Sequence, residues 1–256
     1  MADVLAVLKP VWTEKPETAS RLRGRIERVL NFAKVKQWRE GENPAAWRGN
    51  LENVLPKKKQ LVQGHLPAMA YDDVPSFMKR LSEQQSLAAR ALELTILSVG
   101  RTNEVLQAQW SEFDLEKGVW TVPANRMKTR REHVVPLTEH ALELLQDLFD
   151  VRTNEWVFPG QKPGKSLSNM AMEMLLRRMG IRDATVHGFR SSFRDWCGDK
   201  TNFQREVAEG CLSHIIGNSV EQAYRRGTAL EKRRIILEAW ASFIMDCPSN
   251  VVAINA

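Results

Sequence analysis

The chain has 256 residues, more than the roughly 150 of one typical domain, which predicts one large domain and a smaller one. Hydrophobic residues make up 43% and charged residues 27%, a balance that excludes a wholly disordered chain. The net charge is +6, and all of the excess lies in residues 1–60, which hold 13 Lys and Arg against 7 Asp and Glu. Such polarity is typical of a segment that faces nucleic acid, although a solvated helix carries it too.

The first predicted helix spans residues 19–38, where apolar residues recur at three- and four-residue spacing. Arg21, Arg25 and Arg28 share its other face, because they stand at positions i, i+4 and i+7. Such a face tracks a phosphate backbone or is simply solvated, and the helix alone does not decide between the two.

A break in the pattern follows this helix. Pro56 introduces three consecutive lysines, Lys57, Lys58 and Lys59, which indicate an exposed basic linker. We place the domain boundary there, between a helical segment over residues 1–62 and a larger domain over residues 63–256.

The larger domain begins with predicted helices at 73–81 and 84–99, and the second is apolar enough to be buried all round. The period then changes at 119–122 and 133–137, two β-rich runs around a basic loop, with 113–115 as a candidate third strand. Helical patterns return at 139–149, 168–179, 187–196, 204–212, 219–225 and 231–245. The sequence therefore predicts an α+β fold, mainly helical with one small antiparallel sheet.

The cysteines and the amino-terminal residues indicate in which cellular compartment the protein is expected. Cys197, Cys211 and Cys247 are odd in number and have no paired spacing, which favours core thiols over a disulfide framework. No run approaches 18 apolar residues, and the first ten residues lack the basic flank and cleavage site of a leader. We expect a cytoplasmic protein.

Two incomplete motifs point to other chemistry. Residues 160–166 have three residues between the glycines where a phosphate-binding loop has four, and Pro163 removes a backbone N–H that phosphate would need. The pair Cys211 and His214 has no second closely spaced pair to complete a zinc site. We expect a surface turn at the first motif, and neither a metal nor a bound cofactor.

Two cationic motifs stand where packing alone would not require them. Arg101 directly follows an apolar helix, and Glu104, three residues on, can hold the guanidinium in one orientation or form a plain ion pair at a helix start. Thr185 is a predicted N-cap for a helix on which His187 and Arg190 share a face. Such a helix start binds anions, although a capped surface helix has the same pattern.

The sequence contains two tyrosines, and their surroundings differ. Tyr71 precedes two aspartates, whose charge opposes a phenolate, whereas Tyr224 is followed by two arginines, which favour one. Tyr224 also lies ten residues after His214. A tyrosine nucleophile would therefore be Tyr224, while a half-buried core residue is the ordinary alternative.

Together these residues form an acid, base and nucleophile set for phosphoryl transfer without a metal. In chain order the set is Arg101 with Glu104, Lys128 in the hairpin loop, His187, Arg190, His214 and Tyr224. This order resembles the active-site motifs of the tyrosine recombinase family, and the runs Arg126-Met-Lys, His187-Gly-Phe-Arg and Ala223-Tyr-Arg-Arg resemble its prophage-type integrases. The resemblance covers about residues 70–245 as the catalytic domain and residues 1–60 as the later part of a helical core-binding domain.

The resemblance implies a catalytic domain of the DNA breaking-rejoining type and a role for each residue. Tyr224 would attack a DNA phosphodiester to form a 3′-phosphotyrosyl link, while Arg101 and Arg190 clamp the phosphate. Lys128 would protonate the departing 5′-oxygen, unless the hairpin tip merely contacts phosphates. The remaining implied roles are assistance with the tyrosine proton for His187, donation to a nonbridging oxygen for His214, orientation of Arg101 for Glu104, and DNA contacts for Arg126, Arg130 and Arg131 besides the basic helix and linker.

The implied partner is double-stranded DNA at attachment sites, bound by a homotetramer with accessory DNA-bending proteins, in the bacterial cytoplasm and on the nucleoid. The implied reaction integrates or excises a prophage or genomic island. Two alternatives remain. The first is a DNA-binding protein on the same scaffold without full recombination activity, because the arm-binding domain and part of the core-binding domain of the family are missing from this sequence. The second is a relaxing enzyme like the type IB topoisomerases. The apolar last helix can dock in its own subunit or on a neighbour.

Overall fold

The structure is a computed structural model that describes residues 1–56, 67–214 and 229–245. It divides the chain into two compact units, Met1–Gly64 and His65–Ala256, each with its own hydrophobic core. Within the described ranges, no helix is both long enough and apolar enough to cross a membrane.

The amino-terminal unit is built on two helices, α1 (Ala2–Trp12) and α2 (Pro16–Val35). The body of α2 confirms the predicted helix, which begins earlier because Pro16 suits a first helical position. It ends at Val35, since Gln37 takes a left-handed φ of 57°. The sequence did not predict α1. The core that joins the two helices and the following loop consists of Val4, Leu8, Trp12, Ala19, Ala45, Leu51 and Leu55.

The larger unit is mainly helical, and α4 forms its centre. Its described helices are α3 (Val74–Ser82), α4 (Leu87–Ser98), α5 (Thr102–Leu106), α6 (Glu139–Asp150), α7 (Ala171–Arg178), α8 (Gly188–Lys200), α9 (Arg205–Cys211) and α10 (Leu230–Ile244). The Ser86 hydroxyl caps α4 by accepting from the Ala89 N–H at 3.2 Å, and Val99 ends the helix with a φ of 47°. Side chains all around α4 are buried, as its sequence predicts.

A three-stranded antiparallel sheet adjoins these helices, in the order β1 (Phe113–Asp114), β2 (Val119–Val122), β3 (His133–Pro136). The candidate third strand is therefore confirmed, and so is the α+β arrangement. Residues 123–132 connect β2 to β3 and carry Lys128. The predicted helix at 219–225 lies outside the described residues.

The last described helix, α10, packs inside its own unit. Trp240 is fully buried, and its indole N–H donates to the Ile96 carbonyl of α4 at 3.0 Å. Arg233, also buried, donates to the Val134 carbonyl of β3 at 2.7 Å. The described part of α10 therefore belongs to the hydrophobic core of the larger unit.

Candidate active site

The carboxyl end of α9 brings the two predicted arginines together. The backbone carbonyl of Leu212 accepts a hydrogen bond from Arg190 at 2.6 Å and from Arg101 at 3.3 Å. The Ser213 carbonyl also accepts from Arg101, at 3.5 Å. The last carbonyls of a helix have no partner within it and carry partial negative charge, so two guanidiniums complete the end of α9.

Arg190 is an interior member of this pair, with only 5% of its surface exposed. Its second hydrogen bond goes to the Val99 carbonyl, which the left-handed end of α4 leaves free of helix bonding. Burial, followed by the charge of Arg101, lowers the pKa of Arg190 to about 10, while Glu104 and Glu209 act in the opposite direction. The guanidinium therefore remains protonated at neutral pH.

Arg101 is held by Glu104 in the way its spacing suggests. One carboxylate oxygen of Glu104 lies 2.7 Å from the Arg101 guanidinium, and the other accepts from the Arg101 backbone N–H at 3.0 Å. Glu104 is buried, so this carboxylate both caps α5 and fixes the guanidinium. The pair is therefore an ion pair at the start of a helix and also an interaction that holds the guanidinium in one orientation.

His187 lies near several of the other predicted catalytic residues. It stands at the N-cap of α8 and is exposed. Partial desolvation lowers the pKa of His187, and the charges of Arg190, Arg101, His214 and Lys128 lower it further. Four of the other five predicted catalytic residues thus lie close enough to His187 for their charges to act on it. A cluster with this excess of positive charge is suited to an anion.

Sequence reasoning missed Glu209 and Arg194. Glu209 is 6% exposed; it hydrogen-bonds Nδ1 of His214 and pairs with Nε of Arg194 at 2.8 Å. Burial raises the pKa of Glu209, but the hydrogen bond to His214 and the charge of Arg194 outweigh it and lower the pKa overall. The available signal was the four-residue step from Arg190 to Arg194, which places both on one face of α8.

In the hairpin loop, Met127 is buried in the hydrophobic core, and Arg126 beside it is bonded within the protein. Arg126 pairs with Glu112 and donates to the Glu104 carbonyl, and 15% of its side chain is exposed. Its geometry does not favour the expected DNA contact, because the guanidinium ties the loop to α5. Lys128, Arg130 and Arg131 are exposed.

The basic face of the amino-terminal unit is present on α2, where Arg21, Arg25 and Arg28 are exposed. Arg21 pairs with Glu17 at 3.0 Å, and Nε of Arg28 donates to the Gly24 carbonyl at 3.2 Å. The candidate residues that lie outside the described residues are Lys57, Lys58, Lys59 and Tyr224.

The two incomplete motifs both lie within the described residues. Residues 160–166 form a turn in which the Gly160 N–H donates to the Lys165 carbonyl at 2.7 Å, so this donor is already used inside the protein. Cys197 and Cys211 are buried, and burial raises the pKa of each thiol to about 12. Among the described residues, no group of three or more His, Cys, Asp or Glu side chains is arranged to hold a metal ion.

Comparison with known proteins gives matches over both units. Residues 68–228 match the model described as the phage integrase family, and residues 1–50 match the phage integrase central domain. Prophage integrase IntZ of Escherichia coli (strain K12) is 33% identical over 94% of this chain and 59% of its own length. The integrase of Enterobacteria phage P4 is 30% identical over 95% of this chain and 58% of its own. The chain thus spans less than two thirds of the length of these relatives.

Two solved structures share the fold. The lambda integrase (75-356) dimer bound to a COC′ core site superposes with a TM-score of 0.59 at 18% identity, over 84% of this chain and 78% of that one. The integrase from mycobacterium phage Brujita gives 0.54 at 17% identity, over 89% and 75%. At these identities the likeness concerns the fold.

Proposed function

The chain belongs to the phage integrase family, and from that membership we propose that it is a site-specific recombinase, which cleaves and rejoins double-stranded DNA through a 3′-phosphotyrosyl intermediate. The observation that carries the proposal is the meeting of Arg101 and Arg190 on the Leu212 carbonyl. His187, His214 and Lys128 lie within electrostatic reach. Two guanidiniums in one place match the nonbridging oxygens of a phosphodiester.

The reaction exchanges one phosphoester for another. The Tyr224 oxygen forms a bond to phosphorus, the bond from phosphorus to the 5′-oxygen breaks, and Lys128 gives that oxygen its proton. His187 assists removal of the tyrosine proton, and His214 donates to a nonbridging oxygen. The arginines stabilise the charge of the transition state and need no metal to do so. The reverse attack by a 5′-hydroxyl of a partner strand releases the tyrosine.

The domain assignment and partners belong to the same proposal. Residues 1–62 form a helical core-binding segment with its basic linker, and residues 63–256 form the catalytic domain. The lambda integrase neighbour is a dimer bound to a core site, which supports duplex DNA as the partner. We assign the working form as a homotetramer on attachment sites, aided by DNA-bending proteins, in the bacterial cytoplasm and on its nucleoid. The outcome is integration or excision of a prophage or genomic island.

The test is incubation with a nicked suicide substrate carrying the attachment sequence, followed by denaturing electrophoresis. We expect a covalent adduct that persists in EDTA and is lost in Tyr224→Phe. An adduct in Tyr224→Phe would contradict the assigned nucleophile, and suppression by EDTA would contradict the metal-free scheme. Strand transfer into a second duplex, measured beside relaxation of a supercoiled plasmid, separates a recombinase from a type IB topoisomerase. Binding without any adduct would indicate a DNA-binding protein only.

A further inference from the structure

The buried glutamate at the end of α9 sits behind one of the proposed catalytic histidines. Glu209 uses its two carboxylate oxygens for two different partners, Nδ1 of His214 and Nε of Arg194, the latter at 2.8 Å. The His214 backbone N–H also donates to the Glu209 carbonyl, at 3.0 Å. Both the main chain and the ring of His214 are therefore fixed by one residue.

The position of Glu209 is set by the helix that carries the arginine clamp. Arg190 and Arg194 are one turn apart on α8, where the first reaches the Leu212 carbonyl and the second reaches the Glu209 carboxylate. Glu209 is 6% exposed, whereas the His214 ring is 44% exposed. The carboxylate is thus on the protein side of the histidine and leaves the rest of the ring accessible.

The charge of this carboxylate determines which ring nitrogen carries a proton. An ionised carboxylate only accepts hydrogen bonds, so Nδ1 of His214 must be the donor. Donation from Nε2 to a phosphate oxygen then requires a second proton, and the resulting imidazolium has a carboxylate beside it as counter-charge.

We propose that Glu209 is a positioning residue for strand cleavage: it fixes Nδ1 of His214 as a donor, directs Nε2 towards the phosphate, and balances the imidazolium. This inference rests on the proposed function, since it assigns Glu209 a part in that same reaction. Glu209 does not touch DNA in this scheme. It acts only through His214, as a carboxylate that orients a reactive imidazole does in other enzymes.

The test compares Glu209→Gln with wild type in single-turnover adduct formation on the suicide substrate. Gln has nearly the same shape but no charge. We expect the rate to fall by roughly 10-fold to 100-fold, by analogy with the loss when the carboxylate that orients a metal-binding histidine is removed. Glu93→Gln is the matched control, because Glu93 is 4% exposed and pairs with Arg90 at the same distance, 2.8 Å. We expect Glu93→Gln to cleave at the wild-type rate.

Two further measurements separate positioning from a structural role. In the His214→Gln background, Glu209→Gln should cause no further loss, since its effect passes through the imidazole; a loss that multiplies would overturn the proposal. On a substrate with sulphur in place of the bridging 5′-oxygen, the leaving group needs no proton. On this substrate the cleavage rate of Lys128→Ala should return towards that of wild type, while Glu209→Gln should remain slow. A return of Glu209→Gln to the wild-type rate would also overturn the proposal.

The outcomes distinguish this inference from the proposed function. A wild-type protein that forms no adduct contradicts the function, whereas wild type and Glu209→Gln cleaving at equal rates contradict only the role of Glu209. If Glu209→Gln is too unstable to assay, Glu209→Asp keeps the charge but withdraws it by one methylene. We expect a loss of similar size there, and a wild-type rate in Glu209→Asp would contradict the positioning role.

Discussion

Leu212 contributes a backbone carbonyl to the site, and on that carbonyl Arg101 and Arg190 come together. Two positive groups so close repel each other, which is why the charge of Arg101 lowers the pKa of Arg190. The negative end of α9 and the carboxylates of Glu104 and Glu209 offset part of this repulsion. A bound phosphate would remove more of it, so the free protein is electrostatically poised for an anion.

The first prediction concerns the fork of donors on Arg190. The variant Arg190→Lys keeps the positive charge. A single ammonium, however, cannot bond both the Val99 and the Leu212 carbonyls and also offer two parallel donors to a phosphate. We expect single-turnover cleavage to fall by roughly 10³-fold or more, as when an arginine finger is lost. Arg178→Lys, at the exposed last turn of α7, is the control and should cleave normally. Cleavage within tenfold of wild type in Arg190→Lys would argue against a two-donor clamp.

The second prediction concerns His133, which supports the site from β3. Burial, then the charge of Arg233, lowers its pKa from 6.5 to about 4, although a hydrogen bond to the Cys211 backbone and the charge of Glu104 oppose the shift. The unfolded chain takes up this proton near pH 6.5 and the folded chain only near pH 4, so the folded state loses stability as the pH falls through that window. The shift corresponds to about 3 kcal/mol in the free energy of unfolding at the acidic end.

Urea unfolding of wild type and His133→Gln at pH 8 and pH 5 tests this. At pH 8 both states of the wild type are neutral at this position, so the difference between the two proteins measures packing and the hydrogen bond alone. At pH 5 the free energy of unfolding of the wild type should be lower, relative to that of His133→Gln, than it is at pH 8. A difference that stays the same at both pH values would show that His133 titrates normally.

At the scale of elements, α8 begins next to His187 and carries Arg190, and its start packs against the chain at Pro67. The Thr185 N–H donates to the Pro67 carbonyl at 3.0 Å, and a Cβ on Gly188 would lie 2.3 Å from that same oxygen. A glycine is therefore required directly after His187, because any side chain there pushes the helix start away from residues 67–68.

The third prediction is that Gly188→Ala lowers the free energy of unfolding by roughly 1 to 3 kcal/mol, the usual cost of overpacking. It should also slow cleavage, since His187 and Arg190 move with the helix start. The matched control is Gly198→Ala on the same helix, where an added Cβ meets nothing within 4 Å. That change should be neutral or stabilise by up to about 1 kcal/mol. Equal stability of the two variants in urea unfolding would contradict the contact with Pro67.

Local patterns predicted most elements, and the failures have physical reasons. The apolar run of α4 and the change of period at β2 and β3 each reflect neighbouring residues, so sequence spacing reveals them. The missed helix α1 has only three buried side chains and contains Pro10, which breaks a helical pattern on paper but is tolerated in this helix.

The site divides in the same way. The pair of Arg101 and Glu104 could be predicted because its members are three positions apart, within one helical turn. The carbonyl of Leu212 could not, since every residue has a carbonyl and only the tertiary fold brings this one to both arginines. Glu209 could not be predicted either, because its sequence context is that of any helix glutamate and its pairing with Arg194 depends on the packing of α8 against α9.

At the scale of the whole molecule, the charge is divided unevenly along the chain. Residues 1–60 carry the entire excess of positive charge, while the remaining residues are balanced. In the larger unit the described cations of the site are opposed by buried carboxylates, as at Glu104 and Glu209. The basic face of α2 is largely exposed. We therefore expect nonspecific affinity for DNA to come mainly from the amino-terminal unit and the reaction from the larger one.

The last prediction separates these contributions by salt. Each phosphate contact releases condensed counterions, so the slope of log affinity against log salt concentration changes by roughly 0.9 per contact. The double change Arg25→Gln and Arg28→Gln should weaken duplex binding at low salt and make this slope shallower by roughly 1.8. Lys117→Gln is the control, because its ammonium is exposed but already paired with Asp114 at 2.7 Å, and the slope should stay unchanged. Weaker binding of the double variant with an unaltered slope would mean that these arginines support the fold of α2 and do not contact phosphate.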